Sequence, residues 1–429
     1  MHITRELLQA VARGEVSPRL LAEAGLEHLT QLCPCCQEEY EAWKRDPKGK
    51  RESRPELLLP LLGAAAPHLE QAERQAMKDF LALAALPAEK RLATIKRALT
   101  RYRGPRLVRL LLAEGRHRLH DSPDTAYDFA ALALAVADRT NPSFELSALS
   151  AAAMANARRA AGELREADEL FAYARMIAER ERVTDSGTLA ELEDLEASLR
   201  KDQRRFDRAV TLLLRALVLY KLAGLPNRLA KATVKLASVH FYEGKSEEAI
   251  GTLRRALRSI SVERTPHLYL CARHNLCRYL AAAEEFEEAQ AIFHEDEGLF
   301  RRHGQPLDRL RRRWVQGQIA AGLGHGRQAE RALHEVQADF LERGMGLLAA
   351  SVAMDLAELH LRAGRTAKVR ELAEQMVPIF AAQDVHREAL AALRLFVEAA
   401  RAETAQLDLV ADLRRYLRDA QADREHRFR

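Results

Sequence analysis

The sequence predicts an all-α protein, built mainly as a right-handed α-solenoid of helix pairs with a period of about 40 residues. Three observations support this prediction. Alanine, leucine, arginine and glutamate dominate a chain that is only 6% aromatic, which favours helices because unbranched side chains lose little rotamer freedom in them. A segment recurs at nearly constant spacing. Small residues hold fixed places within each copy, as in stacked helix pairs.

The recurring segment is clearest at residues 206–216, FDRAVTLLLRA, and it returns 40 residues later as SEEAIGTLRRA. One anchoring position recurs in each copy: Ala126, Ala167, Ala209, Ala249, Ala289, Ala329 and Val369. A second column of small residues stands 12 positions before the later anchors: Ala155, Ala197, Ala237, Cys277, Gly317 and Ala357. The two columns indicate one small contact residue on each helix of a pair.

These columns predict how the units pack. A helix pair cannot bury its apolar face alone, so stacked units share one continuous core. The array is expected over residues 105–429, and two capping helices are predicted at 387–402 and 404–423. Cys277, as a column member, is predicted to be a buried thiol. Turns between helices are predicted at four glycines: Gly162, Gly244, Gly324 and Gly364.

Two predicted second helices carry a family resemblance. The segments GELREADELF at 162–171 and GKSEEAIGTL at 244–253 resemble the second-helix signature of the tetratricopeptide repeat (TPR), glycine turn included. The period departs from the usual ~34 residues and lies near the HEAT range, which we interpret as longer helices within TPR packing. Similar long variants occur in the sensory domains of bacterial regulators. The resemblance spans 105–402 and implies a superhelix whose first helices line a concave, partner-binding face.

The residues expected on that concave face suggest a partner. A polar ladder beside Trp314 and His274 suits the backbone of an extended peptide, and Arg278 with Arg311 and Arg313 suits an acidic segment. The alternative is that these side chains simply solvate the groove. The candidate partner-binding residues are Asn156, Asp194, His274, Arg278, Arg311, Trp314 and Gln318.

A separate cluster near the N-terminus has the spacing of metal ligands. His28 ends a predicted helix, and Cys33 and Cys36 follow it at the start of the next one. Such an arrangement presents three ligands to one tetrahedral zinc ion, and a helix N-terminus favours the thiolate form that binds metal. His2, at the head of the first helix, is the candidate fourth ligand.

This cluster resembles the zinc-containing anti-sigma factor domain of bacteria over about the first 45 residues. The resemblance implies zinc bound by His2, His28, Cys33 and Cys36, and a sigma factor or another transcription regulator as partner. Two departures are the extra residue between His28 and Cys33, and Cys35, which is an alternative ligand or a redox partner. The simpler interpretation is a surface histidine beside reduced thiols in a turn between helices.

The remaining features set the organisation and the function classes. We expect a zinc module at 1–45, a charged linker at 46–55, a helical bridge at 56–104 and the TPR-like array at 105–429. The net charge of +5 is mild, so direct nucleic-acid binding is not expected. No membrane span and no catalytic residue set is recognisable, which predicts a cytoplasmic protein that is not an enzyme. Its function is predicted to be that of a protein-interaction regulator; the alternative is a scaffold or adaptor with a purely structural zinc site.

Overall fold

The computed structural model describes residues 58–98, 100–119, 122–139, 144–382, 396–397, 400 and 406–420. All regular secondary structure in these ranges is helical, and none of it is strand. The chain divides into two compact units. Unit 1 holds the described residues up to Arg200 together with Asp207–Ala232, and unit 2 holds Lys201–Phe206 together with the described residues from Thr233 onward. The predicted zinc ligands His2, His28, Cys33 and Cys36 lie outside the described residues.

The first nine helices in the described ranges are mostly antiparallel neighbours joined by short turns. They are α1 Leu58–Ala84, α2 Ala88–Arg97, α3 Pro105–Arg118, α4 Pro123–Ala137, α5 Phe144–Ala160, α6 Leu164–Arg180, α7 Ser186–Asp202, α8 Phe206–Leu222 and α9 Pro226–Glu243. Helices α3, α4, α5 and α6 pack consecutively, α1 packs on α3, and α2 packs on α4. Within unit 1, the small-column residues Ala155, Ala167 and Ala209 are fully buried. This confirms their predicted role in close helix packing.

Helix α7 carries buried charge as well as apolar residues. Glu196 is only 2% exposed and accepts a hydrogen bond from Arg200 Nη2 at 2.8 Å. Arg175 of α6 also pairs with Glu196, and Arg200 reaches Asp168 of α6 at 2.8 Å. These ion pairs offset the cost of burying an acidic helix face against its neighbour.

The helices that follow α9 belong to unit 2. They are α10 Ser246–Leu257, α11 Pro266–Ala282, α12 Phe286–Glu295, α13 Glu297–His303, α14 Pro306–Gly322, α15 Gly326–Glu342, α16 Gly346–Arg362, α17 Thr366–Ala382 and α18 Leu407–Ala420. Neighbours in sequence pack together from α14 to α17, and the first helices α11, α14 and α16 contact one another in that order. Helix α18 packs on α16, which agrees with a capping helix at 404–423.

The unit 2 columns are buried as predicted. Cys277 is 4% exposed, and Ala237 and Ala357 are fully buried. At Gly317, an added Cβ would lie 2.8 Å from Leu333 Cδ2, so only glycine fits without displacement. Turn glycines Gly244 and Gly324 adopt φ of 92° and 78°, a region that side chains disfavour and that commonly ends a helix.

One irregularity in unit 2 was not predicted. The second helix of the repeat at 286–303 breaks at Asp296, so α12 and α13 are separate helices. Asp296 is 3% exposed, and Arg273 Nε donates to both of its carboxylate oxygens at 2.9 and 2.8 Å. After the break, Phe300 of α13 is only 5% exposed and packs in the core. None of the helices in the described ranges is long and apolar enough to cross a membrane.

Candidate partner-binding site

The predicted partner-binding residues divide between the two units. Asn156 and Asp194 lie on α5 and α7 of unit 1. Unit 2 holds the other five: His274 and Arg278 on α11, and Arg311, Trp314 and Gln318 on α14. Each unit therefore holds a separate group of candidate residues.

In unit 1, both predicted residues are buried and hydrogen-bonded. Asn156 is 8% exposed and accepts a hydrogen bond from Arg159 Nε at 2.9 Å. Asp194 is 5% exposed and accepts one from the Tyr220 hydroxyl at 3.3 Å. Burial, and then the charge of Asp194, raise the pKa of Tyr220 well above its usual value, so the phenol stays protonated as a donor.

A glutamate that sequence analysis missed lies beside this pair. Glu191 of α7 receives Arg228 Nη1 at 2.9 Å and Arg116 Nη1 at 3.4 Å. The charge of Glu191 is the main cause that raises the pKa of Arg228. Arg116, Asn156 and Glu191 share a small pocket with apolar residues of α3, α4 and α5. Its volume of about 40 Å³ is far below the ~300 Å³ of the smallest usual ligand pockets, so it suits no more than a side chain.

In unit 2, Arg278 lies among aromatic rings. Its guanidinium carbon is 5.1 Å from the ring centroid of Phe241, 5.2 Å from that of Tyr279 and 6.0 Å from that of Tyr242. The rings of Phe241 and Tyr279 stack at 4.1 Å, and the Tyr279 hydroxyl donates to Ser238 Oγ at 3.0 Å. This stack joins α9 to α11 and holds a rigid aromatic surface beneath the cation.

Arg278 differs from the other half-buried arginines of unit 2 in the described ranges. The others each pair with a carboxylate: Arg273 with Asp296, Arg312 with Glu297, Arg365 with Glu330 and Arg414 with Asp355. Within the same described residues, Arg278 has no carboxylate partner, and its buried Nε has no hydrogen-bond acceptor. A partly desolvated cation is thus left without a counter-charge, which is energetically unfavourable in the isolated chain.

The surroundings of Arg278 are positively charged. Burial, followed by the nearby charges of Arg278, Arg311 and Arg312, lowers the pKa of the half-buried His274 to about 3. The imidazole is therefore neutral at pH 7. Arg311 is exposed on α14. The charges of Arg278 and Arg311 both act on His274, so the two arginines belong to one polar neighbourhood whose role in partner binding stays a prediction.

Trp314 and Gln318 are bound to a residue that sequence analysis missed. The Trp314 indole N–H donates to Asp355 Oδ2 at 2.6 Å, and Gln318 Nε2 donates to the same oxygen at 2.8 Å. The Trp314 ring meets Phe340 edge to face at 5.8 Å. Asp355 stands 41 residues after Trp314, so the repeat period itself was the available signal. Both groove candidates thus help to join α14 to α16.

Comparison with known proteins concerns the fold. No protein-family model and no curated protein matches this sequence. A Rap protein complexed with Competence and Sporulation Factor is similar with a TM-score of 0.56 and 13% identity, over 73% of this chain and 87% of that one. Aspartyl phosphate phosphatase F from Bacillus subtilis is similar with a TM-score of 0.50 and 14% identity, over 92% of this chain and 87% of that one. With the buried small-residue columns and glycine turns, these likenesses show that the chain has a TPR-like helical-repeat fold.

Proposed function

We propose that this chain is a cytoplasmic protein-interaction regulator whose TPR-like repeats bind an acidic protein or peptide segment through Arg278. The supporting observation is that this half-buried guanidinium has no carboxylate partner among the described residues, whereas the comparable arginines of unit 2 do. A carboxylate supplied by a partner restores the missing counter-charge. Arginine suits this role because its planar fork binds a carboxylate with two hydrogen bonds while its face stays on aromatic rings.

The neighbouring residues favour the same ligand chemistry. Arg311 adds a second exposed cation, and neutral His274 adds a polar ring without repelling either charge sign. The half-buried Tyr242 ring beside Arg278 gives apolar contact area next to the charge. An acidic segment with an apolar or aromatic residue beside the acid therefore fits better than a uniformly charged one.

One further observation favours a macromolecular partner. The Rap protein of similar fold was solved in complex with Competence and Sporulation Factor, which supports a regulatory protein-binding role for this fold. The phosphatase name of the other neighbour belongs to that protein, and we assign no catalytic activity to this chain.

The proposal is tested with labelled peptides and fluorescence anisotropy on the full-length chain. The probe is a short peptide that alternates glutamate with phenylalanine, and its comparison is the same peptide with glutamine in place of glutamate. We expect the acidic peptide to bind at least about tenfold more tightly, and Arg278→Gln to remove most of that difference. Arg258→Gln is the matched control because Arg258 is exposed on the C-terminal end of α10. Equal binding of both peptides, or an unaffected Arg278→Gln variant, refutes the proposal.

A second part of the proposal concerns the N-terminal residues. We propose that His2, His28, Cys33 and Cys36 bind zinc and that this module holds a sigma factor or another transcription regulator. The spacing of the ligands and the anti-sigma resemblance support it. Cys33→Ser with Cys36→Ser, made in the full-length chain, is expected to lower bound zinc and to abolish capture of purified sigma factor. Unchanged zinc content refutes the metal site.

Partner capture separates the regulator from the alternative function. If the double cysteine variant loses zinc but keeps every protein partner, the zinc site is purely structural. The chain is then a scaffold or adaptor rather than a transcription regulator. Peptide binding at Arg278 is measured independently, so either result leaves that part of the proposal intact.

A further inference from the structure

Three potential metal ligands meet on two neighbouring helices of unit 2. Glu330 and His334 lie one turn apart on α15, on the same side of the helix, and His360 lies on α16. One ligand atom from each residue lies within 4.8 Å of the other two. We propose that Glu330, His334 and His360 bind a zinc ion, at a site separate from the N-terminal cysteines.

The donor set and its geometry suit zinc. Two imidazole nitrogens and one carboxylate oxygen are a recognised three-ligand zinc set that leaves a fourth position for water. Tetrahedral zinc holds such ligand atoms about 3.4 Å apart, given bonds of ~2.1 Å. The present separations of up to 4.8 Å therefore have to shrink by roughly an ångström. His334 is exposed, so its ring is free to make that adjustment.

His360 carries much of the argument. The residue is only 2% exposed, yet its Nδ1 has no hydrogen-bond partner among the described residues. An ordinary core histidine has such a partner, because a buried polar atom without one is costly. Burial, followed by the charge of Arg365, lowers the pKa of His360 to about 4. The ring is therefore neutral at pH 7, which is the form that binds metal.

Glu330 is ionised, as metal binding requires, but its carboxylate is already paired with two cations. Lys368 Nζ donates to Oε1 at 2.7 Å, and Arg365 Nη1 donates to Oε2 at 2.8 Å. The Lys368 hydrogen bond is the first cause that lowers the pKa of Glu330 to about 2, so the carboxylate is ionised. Each oxygen keeps a lone pair for a metal, and outer hydrogen bonds of this kind orient a ligating carboxylate. Both cations also repel Zn²⁺, so they weaken binding.

Because the two cations weaken zinc binding while the three ligands favour it, removing one residue of each kind is expected to have opposite effects. The full chain carries Cys33→Ser, Cys35→Ser and Cys36→Ser, so that the N-terminal thiols do not contribute, and is titrated with zinc chloride by calorimetry after dialysis against chelator. We expect one saturable zinc site. His334→Ala in this background weakens it by at least about tenfold, and His325→Ala, at an exposed histidine nearby, leaves it unchanged. Lys368→Gln strengthens binding severalfold because one repelling charge is removed.

Several outcomes overturn the proposal. They are the absence of saturable zinc binding, equal affinity in the His334→Ala variant, or unchanged or weaker binding in Lys368→Gln. Because His334 is exposed, its loss is not expected to unfold the repeat, and circular dichroism of each variant checks this. Cobalt substitution supplies a second measurement: tetrahedral Co²⁺ absorbs strongly in the visible, and that band is expected to vanish in His334→Ala.

Discussion

Asp355 and Arg414 form an ion pair between α16 and α18, with the arginine Nε 2.8 Å from Oδ1 of the carboxylate. The other carboxylate oxygen accepts the indole N–H of Trp314 from α14. Arg414 also pairs with Glu358, one turn further along α16. One buried carboxylate thus connects three helices, and the last described helix is attached by charge as well as by apolar contacts such as Val410 and Leu413.

Replacing Arg414 is expected to loosen α18. In Arg414→Met, Asp355, which is 6% exposed at its side chain, loses the cation that pairs with it while its carboxylate stays buried. Breaking such a pair costs about 3 kcal/mol. Hydrogen exchange measured by mass spectrometry on peptides from 407–420 is expected to accelerate strongly. Arg415→Met is the matched control, because Arg415 is 60% exposed and its partner Asp412 is exposed as well. Equal exchange in the two variants contradicts the prediction.

Acidification is expected to destabilise unit 2 partly through His274. Its folded-state pKa of about 3 lies below the unfolded value of ~6.5, so the unfolded chain binds the proton more readily. Stability is therefore full above pH ~6.5 and falls as the pH drops toward 3. When the pH falls from 7 to 5, the free energy of unfolding is expected to decrease by about 1–2 kcal/mol less in His274→Gln than in the parent chain. Urea unfolding at both pH values measures this, with exposed His303→Gln as control. An equal loss of stability in the parent chain, His274→Gln and His303→Gln contradicts the prediction.

The two cysteines of α11 are expected to differ in reactivity. Cys277 is 4% exposed, its thiol lies 3.7 Å from the carbonyl oxygen of Ala289, and burial raises its pKa to about 12. Cys271 is only half-buried and lies 3.7 Å from His267 Nδ1. Since the thiolate is the reactive form, iodoacetamide is expected to label Cys271 in the folded chain and Cys277 only after denaturation. Peptide mapping distinguishes them, and early labelling of Cys277 overturns its assignment as a packing residue.

Two glycine substitutions in helix interiors are expected to have opposite effects. At Gly317 the added methyl meets Leu333 Cδ2 at 2.8 Å, so Gly317→Ala forces α14 and α15 apart and costs about 1–3 kcal/mol. At Gly251 of α10 nothing lies within 4 Å of the added methyl. Gly251→Ala is therefore expected to stabilise by up to ~1 kcal/mol through helix propensity. Thermal unfolding followed by circular dichroism compares them, and equal melting temperatures rule out the packing argument.

The sequence was most informative where structure depends on period and on backbone conformation. The small columns, with Gly317 and Cys277 among them, and the turn at Gly244 were predictable because each reflects a local rule repeated in every unit. The break at Asp296 was not predictable. It coincides with an ion pair between Asp296 and Arg273 on another helix, and no periodic pattern in the sequence indicates that pair.

The candidate site was predictable only in part. The period predicted His274, Arg278 and Arg311 near one another, and in the structure the charges of both arginines act on the pKa of His274. It did not reveal what each side chain touches, because that depends on helix rotation and on side chains of adjacent repeats. Trp314 was predicted to contact a partner, and in the structure its indole N–H donates to Asp355. Whether it also contacts a partner stays a prediction.

The contacts of Trp314 also make it an intrinsic fluorescent probe of helix packing in unit 2. The chain has two tryptophans, and Trp43→Phe leaves Trp314 as the single indole. Its N–H is bonded to a carboxylate on α16 and its ring rests on Phe340 of α15, so its emission depends on how three helices are registered. Peptide binding at Arg278 or zinc binding at His360 that shifts this register therefore changes the emission spectrum. The Trp314 emission of unlabelled protein then shows whether a ligand bound at one repeat changes the packing of the next repeat.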